Sequence, residues 1–282
     1  MLVAVDLGGT NVKVLLARPD GVVLDSAVMP WVTVDDVDGL VHLLESAGAR
    51  LSAVRAIAIT GGRHRRLPSL LGDTPIVHVD ELTAIGRGGL IAAGVERALV
   101  MSMGTGTAMV AAGPEGVWHL GGTAVGGGTV LGLARLLLGT VDPEEIGRLA
   151  EAGDPRHVDR SVGDIVGGSI GIVPADMPAS HFGRVAQPSF EGPVAREDIA
   201  AGLMELVGQS VGRLGLMAAR AHGFDLLVVT GHAVEWAGIR AALNRVSGLF
   251  GGRIVVPLQP GLATARGALA VLVAQDEPMH RG

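Results

Sequence analysis

Lys13 is the only lysine in 282 residues, and it closes the run Asp6-Leu7-Gly8-Gly9-Thr10-Asn11-Val12-Lys13. The remaining permanent positive charge comes from 21 arginines. A lone ammonium beside a glycine turn and a strand-end carboxylate suits a site that sets a compact point charge on phosphate. Guanidinium is wide, planar and forked, and does not substitute there. Asp6 can hold Mg²⁺ directly or through water, while the amides of Gly8, Gly9 and Thr10 meet phosphate oxygens. Glycine is required because a Cβ would block that approach. A second turn, Gly104-Thr105-Gly106-Thr107, and a third, Gly126-Gly127-Gly128, carry the same composition and strengthen the phosphate reading.

The elements that must position these turns follow from local pattern. Apolar runs over 2–7 and 12–18 flank the first turn as a hairpin, and 21–27 adds a third strand. A helix is expected over 34–46, a buried strand over 53–60 ending in Gly61-Gly62, and a short strand over 76–79. Asp80 is placed to cap a helix over 81–94. The pattern then restarts, with strands over 97–102 and 107–112 around the second turn. Gly121–Gly128 reads as one glycine-rich turn leading into a helix over 130–138. Helices follow over 144–152 and 159–166, then a Pro-punctuated excursion over 174–193. The longest helical pattern, 196–222, contains Gly202, Gly208, Gly212 and Gly215, which permit close approach of a neighbouring core helix or a second subunit. A strand over 225–230, a helix over 233–247, a strand over 253–256 and a helix over 262–274 complete the chain. Two strand–turn–strand units about a hundred residues apart imply two similar lobes across a nucleotide cleft, 1–97 and 98–282.

Composition narrows the class. A net charge of −6, no tyrosine, four Phe and three Trp leave no basic stripe and few stacking platforms for nucleic acid. The absence of cysteine excludes disulfides, thiolate metal sites and cysteine-ligated iron–sulfur clusters. Mean hydropathy is +0.45, yet the longest uncharged stretch, 116–134, is too glycine-rich to span a bilayer. The first residues meet Asp6 at once and show no basic n-region, so a soluble, cytoplasmic protein without a signal peptide or membrane partner is expected. No Walker A motif contains the lysine, and no dinucleotide fingerprint follows a strand. Gly167-Gly168-Ser169-Ile170-Gly171 fits the nucleophile-elbow pattern but follows a helical segment and runs into Pro174, contrary to that motif's strand–turn–helix setting. The nine histidines lack metal-ligand spacing, and His78 and His119 lie beside cleft segments. Arg63-His64-Arg65-Arg66 is either a charged solvated loop or a collector of anions.

The order of these residues resembles the type II pantothenate kinases, members of the actin, heat-shock ATPase and sugar-kinase superfamily. Asp6–Lys13 is similar to the family's first phosphate hairpin and Gly104–Thr107 to its second. Gly121–Thr129 resembles its glycine-rich segment, and Gly153-Asp154, Asp164–Gly168 and Ala179–Gly183 match further landmarks. The resemblance implies a two-lobed actin-like ATPase (ribonuclease H-like) α/β fold, with mixed sheets flanked by helices. It also implies ATP and Mg²⁺ as cofactors, a small-molecule substrate, and a homodimer, here through the 196–222 helix. In that family a glutamate takes the proton from the acceptor hydroxyl. The matching segment Val79-Asp80-Glu81-Leu82 places that role on Glu81, a carboxylate at a helix start.

Three positions depart from the family pattern. Ala108 stands where a serine is usual, and His119 where an arginine reaches the substrate carboxylate. Gly261-Leu262-Ala263-Thr264-Ala265-Arg266-Gly267-Ala268 replaces a tyrosine-containing glycine/alanine motif, with Ala265 on the acceptor side. The expectation is therefore an ATP-dependent phosphotransferase with an alcohol acceptor, pantothenate first, at the opening step of coenzyme A synthesis. The alternatives are a kinase of another hydroxyl compound, pantothenate-like or a sugar, and a non-catalytic nucleotide- or coenzyme A-binding regulator.

Overall fold

The computed structural model describes residues 1–30, 34–62 and 64–276. Its first half runs β1 (Leu2–Leu7), β2 (Asn11–Ala17), β3 (Val23–Pro30), α1 (Val37–Ser46), β4 (Ala56–Gly61), β5 (Leu70–Leu71), β6 (Thr74–His78) and α2 (Glu81–Ala93). The second begins β7 (Ala98–Met103), β8 (Thr107–Gly113), β9 (Gly116–Thr123), α3 (Gly127–Leu138), α4 (Pro143–Ala152), β10 (Arg160–Ser161), α5 (Val162–Val166) and β11 (Pro178–Ser180). It ends α6 (Arg196–Ala221), β12 (Leu226–Thr230), α7 (Ala237–Phe250), β13 (Arg253–Val255) and α8 (Ala263–Asp276). No helix among the described residues is long and apolar enough to cross a membrane.

Two sheets are built on one plan. The first has the order β3-β2-β1-β4-β6-β5 and the second β13-β12-β7-β8-β9. In each, three consecutive strands form an antiparallel meander, and parallel strands add beside the meander's first strand. Parallel strands need both faces covered, and the period-two alternation of each strand supplies two apolar faces. Val3, Val5 and Leu7 pack with Leu40, Leu43 and Leu44 of α1. Leu2 and Ala4 pack with Ala265, Ala268 and Leu269 of α8. In the second sheet, Leu99, Met101 and Met103 meet Val130 of α3, Leu203 of α6 and Leu243 of α7. Ala98 and Val100 face Ile85 of α2.

The covering helices are exchanged: α2, from the first half, lies on the second sheet, and α8, from the chain's end, lies on the first. They cross with backbone against backbone. A Cβ on Gly88 would lie 1.9 Å from the Ala263 carbonyl oxygen, and one on Gly267 would lie 1.9 Å from that of Ala84.

Local pattern and structure part company in β9 and at α5, and agree along α6. Gly121 and Gly122 sit inside strand β9 rather than in a turn. A register shift at Met109/Val110 bulges the ladder there, and a Cβ on Gly122 would meet the Thr107 carbonyl oxygen at 2.4 Å. Glycine thus serves a close backbone approach within the sheet. The expected helix over 159–166 is cut to α5, because 160–161 pair with β11 and Ser161 caps the helix. The glycines of α6 pack inside the chain: a Cβ on Gly208 would fall 2.6 Å from that of Ala242, and one on Gly215 2.8 Å from the Leu227 side chain. The core-helix alternative is therefore realised on that face.

The crossing predicts opposite outcomes for two glycine substitutions. Gly88→Ala should cost about 2–3 kcal/mol or more in urea unfolding, as overpacking against backbone does. Gly132→Ala, in α3 with open space around it, should stabilise by about 0.5–1 kcal/mol. An unchanged midpoint for Gly88→Ala would show that α2 and α8 separate freely.

Candidate active site

The turns of the two meanders face each other across a cleft of about 520 Å³. Asp6 and Lys13 are directly opposed in the β1–β2 ladder, so their side chains leave the sheet on the same face, the one shared by Leu2 and Ala4. The Lys13 Nζ lies 3.5 Å from the Asp6 Oδ2, with both side chains nearly buried. Nζ also donates to the Asn11 carbonyl at 3.3 Å. Burial raises the proton affinity of Asp6 above the ordinary carboxylate range, and the Lys13 charge opposes that rise. A Cβ on Gly8 would come within 2.7 Å of the Asn11 oxygen and 2.9 Å of Nζ, so glycine lets the turn close over the ammonium.

The second turn meets the first tip to tip, with the Thr10 and Thr105 hydroxyls 2.9 Å apart. The Thr107 hydroxyl donates to the Val125 carbonyl at 2.7 Å, tying the hairpin to the segment that starts α3. Two amides at the start of α3 are spent on the hairpin: Gly127 N–H donates to Gly104 at 2.8 Å and Gly128 N–H to Thr105 at 2.9 Å. Gly127 lines the cleft, as do Gly8, Gly9, Thr10, Gly104, Thr105, Gly106 and Thr107. Gly126 and Gly128 instead pack on the hairpin backbone, where a Cβ would stand 2.8 Å from Thr105 or Gly106 atoms.

Glu81 opens α2 and faces the cleft. The helix starts there because the Asp80 carboxylate accepts from the Thr83 N–H at 3.0 Å. Glu81 is exposed to the cleft. Burial, and next the charge of Asp6, raise its proton affinity above the usual value of 4.5, while His64 and Lys13 act the other way.

The wall beside Glu81 follows from register. Ala108, Val110 and Ala112 lie on the α2 side of the second sheet, and Val110 pairs with His119. The His119 side chain therefore stands on that side, and it lines the cleft with Ile85, Ala108 and Gly122. Ala265 does not join them. It is fully buried beneath the first sheet, because the first turn of α8 directs its neighbour Thr264 into the cleft. His78 sits behind the site, with Nε2 3.3 Å from the Pro68 carbonyl and its ring 5.7 Å from that of the buried His64. Arg63 lies outside the described residues, and Arg66 pairs with Asp35 at 3.4 Å. Gly167 is the left-handed cap that ends α5, so the elbow-like sequence that follows has no strand behind it.

Local reading missed the cleft's far end. Ser102, Leu131, Pro143, Gly231, His232, Trp236 and Gly261 all line it. Trp236 is fixed by an Nε1–H bond to the Pro143 carbonyl at 3.0 Å and lines the cleft with Leu131 and Ala233. One signal was available: Thr230-Gly231 ends an apolar parallel strand, where α/β proteins bind ligands. Among the described residues, no group of three His, Asp or Glu side chains could cage a metal ion. A single desolvated carboxylate beside a phosphate cradle does fit Mg²⁺, which keeps waters and takes its other ligands from the nucleotide.

The family model for Fumble matches residues 97–243. A type II pantothenate kinase of Bacillus cereus is 31% identical over 186 residues, covering 64% of this chain and 67% of that one. The 4'-phosphopantetheine phosphatase of Mus musculus is 32% identical over 155 residues, 52% of this chain and 18% of its own length. Among solved structures, the activator of the 2-hydroxyisocaproyl-CoA dehydratase from Clostridium difficile with bound ADPNP superposes with a TM-score of 0.69. It is 18% identical, covering 99% of this chain and 97% of that one. A ROK family glucokinase from Streptomyces griseus, in complex with glucose and AMPPNP, gives a TM-score of 0.58 at 16% identity, covering 96% and 98%. These structural likenesses establish the actin-like α/β fold expected above. With the family model running from β7 into α7, over half of the chain, the chain belongs to the Fumble family, the type II pantothenate kinase-like proteins.

Proposed function

We propose that this chain is an ATP-dependent kinase that phosphorylates the primary hydroxyl of pantothenate. The observation that carries the reading is Glu81, a carboxylate of raised proton affinity, in one cleft with the opposed hairpins Gly8–Thr10 and Gly104–Thr107. The relatives named type II pantothenate kinase support the acceptor. So does the wall of Ile85 and Ala108, which offers an apolar surface to the branched carbons beside that hydroxyl and too few polar partners for a sugar ring.

Each residue then has a task. The ammonium of Lys13, the Thr10 and Thr105 hydroxyls and the hairpin amides hold the phosphate oxygens. Bound Mg²⁺, held on Asp6, would supply charge neutralisation between the phosphates. The purine occupies the slot of Leu131, Ala233 and Trp236. Glu81 accepts the hydroxyl proton as the acceptor oxygen bonds to the γ-phosphorus and the bond to the ADP oxygen breaks. Its proton passes afterwards to water. Residues 1–97 and 98–282 act as lobes that close on the nucleotide, with α2 and α8 exchanged between them.

The acceptor wall favours one variation. His119 is its only basic side chain, and no arginine lines the cleft among the described residues. A kinase of the same mechanism acting on another pantothenate-like alcohol is the second reading, separated from the first by a panel of acceptors. The homodimer implied by resemblance would use the outward face of α6, where Met217 is exposed, since the glycine face is covered.

Three outcomes check these assignments. Glu81→Gln should lower kcat by about 10²–10⁴-fold with ATP still bound; turnover within a few-fold of the native chain would remove Glu81 as the base. In the native chain, kcat/KM should fall with decreasing pH at a midpoint above the ordinary 4.5, because only the ionised carboxylate accepts a proton. A pH–rate profile without that limb would separate Glu81 from the chemistry. Light scattering should give twice the 28.7 kDa chain mass; a monomeric mass would end the dimer proposal.

A further inference from the structure

His232 and Glu235 form a carboxylate–imidazole pair that the transfer chemistry above does not use. His232 follows Gly231 at the carboxyl end of β12, and lines the cleft. Strand β12 runs parallel to β7 with Thr230 opposite Ser102, so Gly231-His232 emerges directly beside Met103-Gly104, the start of the second hairpin. The approach is close: a Cβ on Gly231 would stand 2.4 Å from the Met103 carbonyl oxygen. The His232 Nδ1 lies 3.0 Å from the Glu235 Oε2. The contact is bent away from good hydrogen-bond geometry, so its attraction is chiefly electrostatic. No hydrogen bond to another described residue claims Nε2. Gly261 makes room for the pair, since a Cβ there would come within 2.7 Å of the Glu235 Oε1 and 3.3 Å of Nδ1.

We infer that His232, oriented by Glu235, is a nucleotide-binding residue that contacts the polyphosphate of the bound nucleoside di- or triphosphate. The inference rests on the kinase reading and extends it to a side chain at the hairpin's far flank. A carboxylate against one ring nitrogen fixes the ring, and the protonated ring has its other N–H left to donate to an anion. Glu235 is itself held below the usual carboxylate range, chiefly by His232 and then by the Gly261 amide. Of the elements packed against this turn, α7 carries two charged groups: Arg240, whose Nε is bound to the Val234 carbonyl, and Arg245, which pairs with Glu205. Strand β7 and residues 260–262 contribute no titratable side chain. A protonated ring would therefore meet phosphate with Glu235 as its principal counter-charge.

Calorimetric titration with ADP, and separately with adenosine, tests this at about pH 6 and about pH 8. The native chain should bind ADP more tightly at the lower pH. His232→Gln should weaken ADP binding by about tenfold at the lower pH and flatten the pH dependence. Glu235→Gln, which removes the orienting carboxylate, should also weaken ADP binding, and adenosine binding should change in neither variant. Native ADP affinity in His232→Gln would overturn the inference, as would an equal loss for adenosine. If that happens while pantothenate is still phosphorylated, the kinase reading stands and only this contact falls. Failure of the native chain to bind ADP at all would overturn both.

Discussion

The backbone contact between α2 and α8 sets the distance between the two sheets, and everything the cleft does depends on that distance. Gly88 and Gly267 leave no room for a side chain at the crossing, so the helices pack closer than ordinary side chains allow. Each helix lies on the sheet built by the other half of the chain, which ties both sheets to one interface. At that spacing the Thr10 and Thr105 hydroxyls touch, and the first residue of α2, Glu81, faces the phosphate turns. A wider crossing would leave two hairpins with no shared site.

Within this duplicated plan the chemistry is not duplicated. Asp6 opposes Lys13 two residues before Gly8, and Ser102 opposes Ala108 two residues before Gly104. The same ladder position thus carries a nearly buried ion pair in one sheet and a small neutral pair in the other. Burying a second pair would demand another desolvation that an apolar wall avoids. The buried charges of the cleft thus belong to the first sheet. The second supplies amides, hydroxyls and the Ala108–His119 wall. Just past the end of β12 in that sheet, His232 adds a second imidazole to the cleft, against the Glu235 carboxylate.

The first-sheet half of the site was legible because it is local. Asp6, the glycine turn and Lys13 are contiguous, and one antiparallel register puts their side chains together. The helix beginning at Glu81 was equally readable, since the Asp80 cap acts within one turn. The strand–turn–strand repeat exposed the second hairpin, although Gly121 and Gly122 belong to a bulged strand that local pattern cannot tell from a turn. Gly126 and Gly128 have the composition of a phosphate loop but serve as packing against the second hairpin. Only the tertiary contact distinguishes those uses.

Type and spacing of residues, acting over a few positions, determined the alternation of strands, the glycine turns, the caps and the pairing of Asp6 with Lys13. The exchange of α2 and α8 between sheets required Gly88 to meet Ala263 and Gly267 to meet Ala84, contacts between segments from opposite ends of the chain. No local propensity encodes such a meeting. The tertiary structure likewise decided that Thr264 rather than Ala265 enters the cleft, since one position along a helix rotates a side chain by over a quarter-turn. It also brought Trp236 and His232 into the cleft, because the parallel pairing of β12 with β7 is a long-range ladder whose register is fixed only once both faces of the sheet are covered.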